Sequence, residues 1–389
     1  MKVSIIGAGF SGLSLAYFLL KRGFQVEIFE TKPGPGGLIQ TIKTNRGLVE
    51  TAATSILLTT DLEEIIKDIK IDYLLPNKKS RKKYISVNHS PRRIPLKPLD
   101  LLFLFKGIFN LIFNKKKIAP QKSESLSSWS DRVFNNEVTK KLVSPAMTGI
   151  YADSSQNLSA TLVLRKIFSK DKKKKSKGPV NFIGGMGNFI SALEGYLIKN
   201  HVHFHYNSQI NDLSSLKNPF VIATSYQQAR DLKVDLPQIP LKNMSSVTLF
   251  FDGSPPLEGF GTLFPEDEKM NSQGVLFNTS MFEGRTNKGY SETWILSDKT
   301  ELSNEKLLEA ILKDREKVFK TDQSPIDLQV NHWPKAFPLY GPELELFLSR
   351  EFALPKPAYL TGNYLGNLGL SGIIEQNKLL SIKMAQELI

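Results

Sequence analysis

The sequence contains no cysteine, and this absence excludes several kinds of chemistry at once. The 389-residue chain cannot form disulfide bonds, thiolate metal sites, a cysteine nucleophile or a flavin tethered through cysteine. Its five histidines show no metal-ligand spacing, and His201, His203 and His205 alternate along a predicted strand, which is typical of surface residues. We therefore predict no metal site. A chain without cysteine is compatible with a reducing compartment.

Long hydrophobic runs are also missing. No segment reaches the roughly 18 to 20 uninterrupted apolar residues that a membrane-spanning helix requires. Met1 and Lys2 lead directly into a short apolar strand and a glycine-rich turn, which is unlike a secretory signal peptide. The sequence therefore predicts a cytoplasmic protein whose contact with membranes is at most peripheral.

The overall composition is that of a globular protein with a basic surface. Hydrophobic residues make up 41% and charged residues 23%, which excludes a disordered or fibrous chain, and the length favours two or three structural units. The net charge of +13 favours anionic partners such as acidic lipids or carboxylated ligands. No zinc finger or other nucleic-acid-binding motif is recognisable, so we expect no nucleic-acid partner.

The first thirty residues carry a dinucleotide-binding pattern. The apolar strand Val3 to Ile6 is followed by a glycine-rich turn at 7–12 and an apolar helical pattern. Gly7 allows the tight turn, Gly9 allows a pyrophosphate to approach the backbone, and Gly12 allows the helix to pack on the strand. The helix N-terminus then offers free N–H groups to the phosphates.

Two further features extend this pattern. Glu30 ends the second strand, where a carboxylate can accept hydrogen bonds from a ribose. Gly36 and Gly37 follow and permit a second close backbone approach to the diphosphate. A second glycine pair is not expected in Rossmann domains that bind NAD alone, so it favours non-covalently bound FAD.

The middle of the chain leaves several interpretations open. A basic cluster at 78–93 is either a solvated loop or a set of cations for an anionic substrate. The segment 101–114 is almost entirely apolar and is followed by three lysines, which is typical of a helix lying on an anionic membrane, or of a buried helix in a helical subdomain. A second basic run, Lys170 and 172–175 with Lys177, predicts an exposed loop.

The remaining segments predict a return to the first domain and a separate sheet. The glycine-rich turn at 184–187 precedes a helical pattern, and apolar strands follow at 202–206 and 220–224. Alternating apolar segments between Ser245 and Trp294 predict an antiparallel sheet. A short strand at 358–360, a glycine-rich turn and a helix to Ile389 complete the pattern, and the helix N-terminus can stabilise negative charge on a flavin.

Taken in order along the chain, these motifs resemble the protoporphyrinogen oxidase family of amine-oxidase-like flavoproteins. The resemblance covers nearly the whole chain and rests on short segments in a shared order: 124–126, 134–138, 142–145, 149–152, 158–159, 184–186, 332–340 and 362–365. It implies a mixed α/β fold with a discontinuous Rossmann-like FAD-binding domain, an antiparallel-sheet substrate domain and a helical membrane-associated region. The corresponding residues are 1–75, 181–230 and 350–389; 76–95 and 231–349; and 96–180.

The resemblance also implies an activity, namely six-electron oxidation of protoporphyrinogen IX to protoporphyrin IX, with O2 as acceptor and H2O2 as product. Three alternatives remain open. They are coproporphyrinogen oxidation, an amine oxidase or carotenoid desaturase on the same fold, and a non-enzymatic flavin-binding protein. The expected partners are a porphyrinogen, O2 and an anionic membrane surface, while the oligomeric state stays open.

Residue by residue, the resemblance implies two sets of contacts. The expected FAD contacts are Gly7, Gly9, Phe10, Ser11, Gly12, Glu30, Thr31, Gly36, Gly37, Leu38, Ile210, Trp333, Gly362, Leu368, Gly369 and Leu370. The expected substrate contacts are Lys83, at the position of a propionate-binding arginine, and Gly149 in the cavity wall. No catalytic side chain is expected, because the flavin carries the chemistry. The chain departs from the family at Lys83, 52–53, 153–154 and Gly372, which leaves substrate preference open.

Overall fold

The computed structural model describes residues 1–169, 176–350, 354 and 357–389. Most of the predicted basic run at 170–177 lies outside the described residues. Lys177 is described, and its ammonium pairs with the Glu63 carboxylate at 2.6 Å.

Seventeen strands are present in the described part of the chain. They are β1 (Lys2–Ile6), β2 (Gln25–Phe29), β3 (Thr41–Lys43), β4 (Leu48–Glu50), β5 (Ile56–Leu57), β6 (Tyr73–Leu74), β7 (Lys83–Val87), β8 (Ser90–Arg92), β9 (Pro179–Phe182), β10 (His203–His205), β11 (Phe220–Ile222), β12 (Leu241–Phe251), β13 (Gly261–Leu263), β14 (Gly274–Phe277), β15 (Tyr290–Ser297), β16 (Asp327–Pro338) and β17 (Ala358–Leu360).

The same residues form fourteen α-helices. They are α1 (Phe10–Leu20), α2 (Thr60–Ile69), α3 (Pro98–Phe113), α4 (Leu126–Val133), α5 (Asn136–Val138), α6 (Ser144–Tyr151), α7 (Ala160–Val163), α8 (Arg165–Phe168), α9 (Met186–Lys199), α10 (Tyr226–Asp231), α11 (Asn278–Met281), α12 (Asn304–Phe319), α13 (Pro342–Ser349) and α14 (Leu370–Leu388).

The first sheet has five strands in the order β10-β2-β1-β11-β17, and every pair is parallel. Helices cover its faces, so the central strands are apolar along most of their length, as parallel sheets require. The strands come from three separated parts of the sequence, as the Rossmann-like pattern predicts. The main core cluster lies between this sheet and the helices α1, α9 and α14.

The second sheet has seven strands in the order β16-β12-β15-β14-β13-β7-β8. It is antiparallel except for the pair β13 and β7, which brings the early segment 83–87 beside residues 261–263. The expectation of an antiparallel sheet in the second half of the chain is therefore met, with one parallel pair that the sequence pattern does not reveal. The helix α12 packs against this sheet through Leu307 and Ile311, which share a hydrophobic core with Trp294 of β15.

A mainly helical region, α3 to α8, connects the two sheets along the chain. The helix predicted at 101–114 is observed as α3, and it packs through Gly107, where an added Cβ would lie 2.1 Å from the Phe134 ring. Asp100 at its first turn accepts a hydrogen bond from the Asn135 amide at 3.1 Å. Of the described helices, none is both long and apolar enough to cross a membrane.

Candidate active site

A large cavity of about 690 Å³ lies at the carboxyl ends of β1 and β2, where α/β folds place their ligands. Of the sixteen predicted cofactor contacts, fifteen line this cavity. The exception is Gly12, which faces the turn before it. The structure therefore brings together residues from the beginning, the middle and the end of the sequence.

The three glycines of the first turn have different surroundings. Gly7 has a φ of +106°, and an added Cβ would lie 2.9 Å from the Ala223 carbonyl oxygen. At Gly12 an added Cβ would lie 2.0 Å from the Gly7 oxygen, so this glycine is needed for helix packing. At Gly9 no heavy atom lies within 4 Å of the added Cβ. Gly9 therefore leaves open space beside the N-terminus of α1.

The Glu30 carboxylate is held by the backbone at the edge of the cavity. Its Oε2 accepts a hydrogen bond from the Ala8 N–H at 2.8 Å, and its Oε1 accepts one from the Lys32 N–H at 2.9 Å. The Thr31 hydroxyl donates to Oε1 at 3.2 Å. These contacts fix the carboxylate beside the glycine turn, where it can still accept hydrogen bonds from a sugar hydroxyl.

The glycine pair Gly36 and Gly37 packs against the first glycine turn. The Gly36 N–H donates to the Ala8 oxygen at 2.9 Å, and Gly36 forms a bridge with Gly9. Gly36 has a φ of +110°, and Gly37 lies so close to Gly9 that an added Cβ would be 3.3 Å from the Gly9 Cα. Two backbone segments without side chains thus form one continuous surface of the cavity.

The opposite end of the cavity is built from the second sheet and the start of α14. The Trp333 indole N–H donates to the Thr51 oxygen at 2.8 Å, which fixes the ring beside the cavity. The Tyr340 hydroxyl donates to the oxygen of Asn363, another cavity residue. Burial raises the pKa of Tyr340 well above its usual value, so this phenol stays neutral at physiological pH.

The two predicted substrate residues lie in different places. Gly149 lines the cavity near the end of α6, and an added Cβ there would lie 2.8 Å from the Leu263 side chain. Lys83 begins β7, and its ammonium lies 5.3 Å from the centre of the Phe260 ring. Among the described residues, those that line the cavity do not include Lys83. A contact between Lys83 and a substrate stays a prediction.

The departure at Gly372 has a local explanation. An added Cβ at this position would lie 2.8 Å from the Asn367 amide oxygen and 2.9 Å from the Lys166 ammonium nitrogen. An acidic side chain would therefore require these neighbours to move. The departure at Asp153 also has partners, because its carboxylate pairs with Lys242 at 3.0 Å and connects α6 to β12.

Sequence reasoning missed several polar residues of the cavity wall. Ser225, Gln228 and Asp231 line it from α10, and Thr51 and Ser55 line it after β4. The capping box formed by Ser225 and Gln228 is visible in the sequence as Ser-x-x-Gln and could have located this helix start. Nothing local in the sequence indicates that this helix faces the glycine turn.

Within the described residues, no group of three histidine or acidic side chains could hold a metal ion. The site is therefore a backbone cradle for a dinucleotide that continues into a partly apolar chamber.

Comparisons with known proteins agree with this geometry. A family model described as an NAD(P)-binding Rossmann-like domain matches residues 5–69. The mitochondrial protoporphyrinogen oxidase of Nicotiana tabacum is 25% identical, with 95% of this chain and 92% of the relative aligned. The coproporphyrinogen III oxidase of Bacillus subtilis is 23% identical, with 97% of this chain and 96% of the relative aligned.

Solved structures show the same fold. A provisionally named protoporphyrinogen oxidase of Exiguobacterium sp. 255-15 superposes with a TM-score of 0.79 at 16% identity, covering 99% of both chains. Cyclohexylamine oxidase of Brevibacterium oxydans superposes with a TM-score of 0.75 at 15% identity, covering 100% of this chain and 99% of the other. The resemblance inferred from the order of the motifs is confirmed: over nearly its whole length this chain is similar to protoporphyrinogen and coproporphyrinogen oxidases, and it shares its fold with solved amine oxidases.

Proposed function

We propose that this protein is an FAD-dependent oxidase that converts protoporphyrinogen IX to protoporphyrin IX in haem biosynthesis, with O2 as the electron acceptor. The observation that carries the proposal is the single cavity, which runs from the glycine turns to Gly149, Ile150 and Phe337. A cofactor bound at the first end extends toward a chamber that is partly apolar and can admit a macrocycle. The whole-chain similarity to two porphyrinogen oxidases supports the same reading.

The residues of the cavity fit FAD. The open space at Gly9 and the glycine pair above it suit a diphosphate, Glu30 suits the ribose, and Ile210, which lines the same cavity, suits the adenine. Trp333 and the turn at 368–370 suit the isoalloxazine end. Apart from Gly12, the other predicted FAD contacts line the same cavity, and we propose the complete set as the cofactor site.

When bound, FAD supplies the hydride acceptor, and three rounds of oxidation by O2 give the porphyrin and three molecules of H2O2. The work of the protein is to bind the substrate, exclude water and present a methylene carbon to the cofactor. The fixed ring of Trp333 and the glycine at 149 shape the chamber for that purpose. The helix α14 directs its N-terminal N–H groups toward the cavity, where they favour negative charge.

Oxidation of coproporphyrinogen III to coproporphyrin III is the second candidate. The observation that favours it is the alignment with the Bacillus subtilis enzyme, which spans nearly all of both chains. The two substrates differ in the number of carboxylates, and the exposed basic residues around β7 and β8 offer cations for either one.

The test is a matched fluorescence assay. FAD-loaded protein receives fresh protoporphyrinogen or coproporphyrinogen in air, and heat-killed protein corrects for autoxidation. Faster porphyrin emission from protoporphyrinogen is expected, whereas a preference for coproporphyrinogen would transfer the protein to the second candidate. No acceleration with either, despite bound flavin, would contradict both and redirect the search to amines or polyenes.

We also propose that the domain division inferred from the sequence applies. We further propose that the protein is cytoplasmic and binds the membrane peripherally through α3. Phe105 is 64% exposed and Phe109 56% exposed, and Lys116 and Lys117 follow this apolar face on the exposed surface. An exposed apolar helix followed by cations is typical of proteins that bind anionic bilayers.

Co-sedimentation with anionic liposomes tests the membrane proposal. The double variant Phe105→Glu and Phe109→Glu is expected to pellet far less than the unmodified protein. The control is Ile198→Glu, which alters an apolar side chain of similar exposure, 52%, on α9. Equal pelleting of all three proteins would contradict the proposal.

A further inference from the structure

We infer that Glu50 and Arg285 act together as positioning residues for the cofactor, holding the segment 51–55 against the cavity. This inference rests on the proposed function because it assumes that FAD occupies the cavity. Neither residue is among the described residues lining that cavity, so both would act through their neighbours.

Glu50 is a buried carboxylate at the end of β4 that collects donors from four parts of the chain. Its Oε1 accepts from the Arg285 guanidinium at 2.7 Å and the Asn181 amide at 3.1 Å. Its Oε2 accepts from the Thr41 hydroxyl at 2.6 Å, and the Met186 N–H at the start of α9 lies within hydrogen-bond distance of both oxygens. A buried charge with this many partners fixes its own backbone tightly.

Arg285 reaches Glu50 from the loop before β15, so the pair joins a loop of the second sheet to the two-stranded hairpin of β3 and β4. Both side chains are about 95% buried. The backbone of this loop also contacts the strand: the Leu48 N–H donates to the Arg285 oxygen at 3.0 Å, and Gly47 pairs with Thr286. An added Cβ at Gly47 would lie 2.2 Å from that oxygen, so the two segments pack without space between them.

The next residue after Glu50 is part of the cavity wall. The Thr51 oxygen accepts from the Trp333 indole, and the Thr51 hydroxyl donates to the Leu38 oxygen at 2.8 Å. Thr51, Trp333 and Leu38 all line the cavity. Since Thr51 follows Glu50 directly, a shift of the Glu50 backbone would move the carbonyl that orients Trp333.

The pair therefore links the packing of the β3–β4 hairpin against the loop before β15 to the shape of the cofactor site. Loss of either partner leaves a buried charge without its counterpart, and the least constrained response is movement of the β4 end and residues 51–55. We therefore expect weaker binding of FAD and a changed orientation of the bound flavin, in addition to any loss of stability.

The experiment compares full-length Glu50→Gln and Arg285→Met with a matched control, Arg315→Met. Arg315 on α12 forms an equally buried pair with Glu292 on β15. FAD affinity is measured on the apoprotein by flavin fluorescence, the orientation of bound flavin by visible circular dichroism, and stability by denaturant unfolding.

We expect Glu50→Gln and Arg285→Met each to weaken FAD binding by about tenfold or more and to change the flavin dichroism. The double variant should bind FAD no more weakly than the weaker-binding single variant, because both substitutions break the same ion pair. Arg315→Met should unfold more easily yet bind FAD within about twofold of the unmodified protein while folded.

The inference is overturned if the Glu50 and Arg285 variants lose stability like Arg315→Met but keep normal FAD affinity and dichroism. If Glu50→Gln does not fold, Arg285→Lys keeps the cation and loses the forked geometry, and its FAD affinity decides the matter. An unmodified protein that binds FAD but oxidises no porphyrinogen would overturn the substrate assignment and leave this comparison intact.

Discussion

Two buried arginine–carboxylate pairs lie in the part of the chain that the structure describes, and their surroundings differ. Glu50 and Arg285 are 235 positions apart and join the second sheet to the strand before the cavity wall. Glu292 and Arg315 are 23 positions apart and join β15 of the second sheet to the helix α12 that packs against it. The nitrogen–oxygen distances are 2.7 Å and 3.1 Å, and both pairs are almost fully buried.

The second pair is embedded in aromatic side chains. The Arg315 guanidinium lies 4.0 Å from the centre of the Phe251 ring and donates to the Tyr290 hydroxyl at 2.8 Å. Burial raises the pKa of Glu292, and the positive charge of Arg315 opposes that increase. This pair has no described contact with the cavity, so its role is to hold one unit together.

The comparison shows that the effect of a buried arginine–carboxylate pair depends on the contacts of the residue that follows the carboxylate. After Glu50 comes Thr51, which forms the cavity wall. After Glu292 comes Thr293, which hydrogen-bonds to Thr248 inside the sheet. One pair should therefore affect the cofactor and the other the free energy of unfolding.

The largest expected effect concerns the pair that is remote from the cavity. Arg315→Met should lower the free energy of unfolding by about 3–5 kcal/mol, because it leaves the Glu292 carboxylate buried without its partner. Urea unfolding followed by tryptophan fluorescence measures this change. A loss below about 1 kcal/mol would show that the second sheet tolerates an unpaired Glu292 and would remove the contrast between the pairs.

The same contrast applies to two glycines in one turn. Gly12→Ala should cost about 1–3 kcal/mol of stability, since its Cβ would meet the Gly7 oxygen. Gly9→Ala places its Cβ in open space, so the apoprotein should keep its unfolding midpoint and bind FAD more weakly. Equal stability losses in both variants would contradict the assignment of Gly9 to the cofactor.

A smaller effect is expected at the indole that contacts Thr51. Trp333→Phe removes one hydrogen bond and should cost about 1 kcal/mol, together with a change in the dichroism of bound flavin. Trp129→Phe is the control, because its indole donates to the Ile118 oxygen at 2.7 Å in the helical region. Identical flavin spectra in the two variants would show that Trp333 does not orient the cofactor.

The smallest effect is expected for a partly exposed ion pair between Lys21 and Asp68, which is separate from the two buried pairs. Hydrogen bonds from Lys21 and then Tyr17 lower the pKa of Asp68. Its contribution to stability is therefore present above about pH 4 and lost as the pH falls through the lower folded-state pKa. Because the Lys21 side chain is exposed and Asp68 is only partly buried, Asp68→Asn should cost less than about 1 kcal/mol at pH 7 and nothing at pH 2. A cost that persists at pH 2 would contradict an ionic origin.

The local parts of the site could be predicted from the sequence. The glycine turn, Glu30 and the second glycine pair lie within 31 consecutive residues, and their roles follow from backbone sterics. The C-terminal glycine-rich turn is visible in the sequence, but the assignment of Trp333 and residues 368–370 to the flavin end rests on the resemblance, because no local rule places them beside the first turn.

The remaining features depend on long-range pairing. The parallel contact of β7 with β13, the position of α10 at the cavity and the pairing of Glu50 with Arg285 join segments far apart in sequence. The substrate contact of Lys83 stays a prediction from the resemblance: its ammonium lies near the Phe260 ring, and the described residues that line the cavity do not include it.

The position of α14 has a consequence for how the protein is made. Asn377 on this helix donates to the Ser11 oxygen at 2.8 Å and to the Ser14 hydroxyl at 2.7 Å, and α14 packs along α1. During synthesis, α1 emerges more than 350 residues before the helix that covers it. At bacterial or eukaryotic translation rates of about 5–20 residues per second, the apolar surface of α1 stays uncovered for tens of seconds. Assembly of the dinucleotide cradle is therefore a late event, and a nascent chain stalled before residue 370 should recruit chaperones and fail to retain FAD.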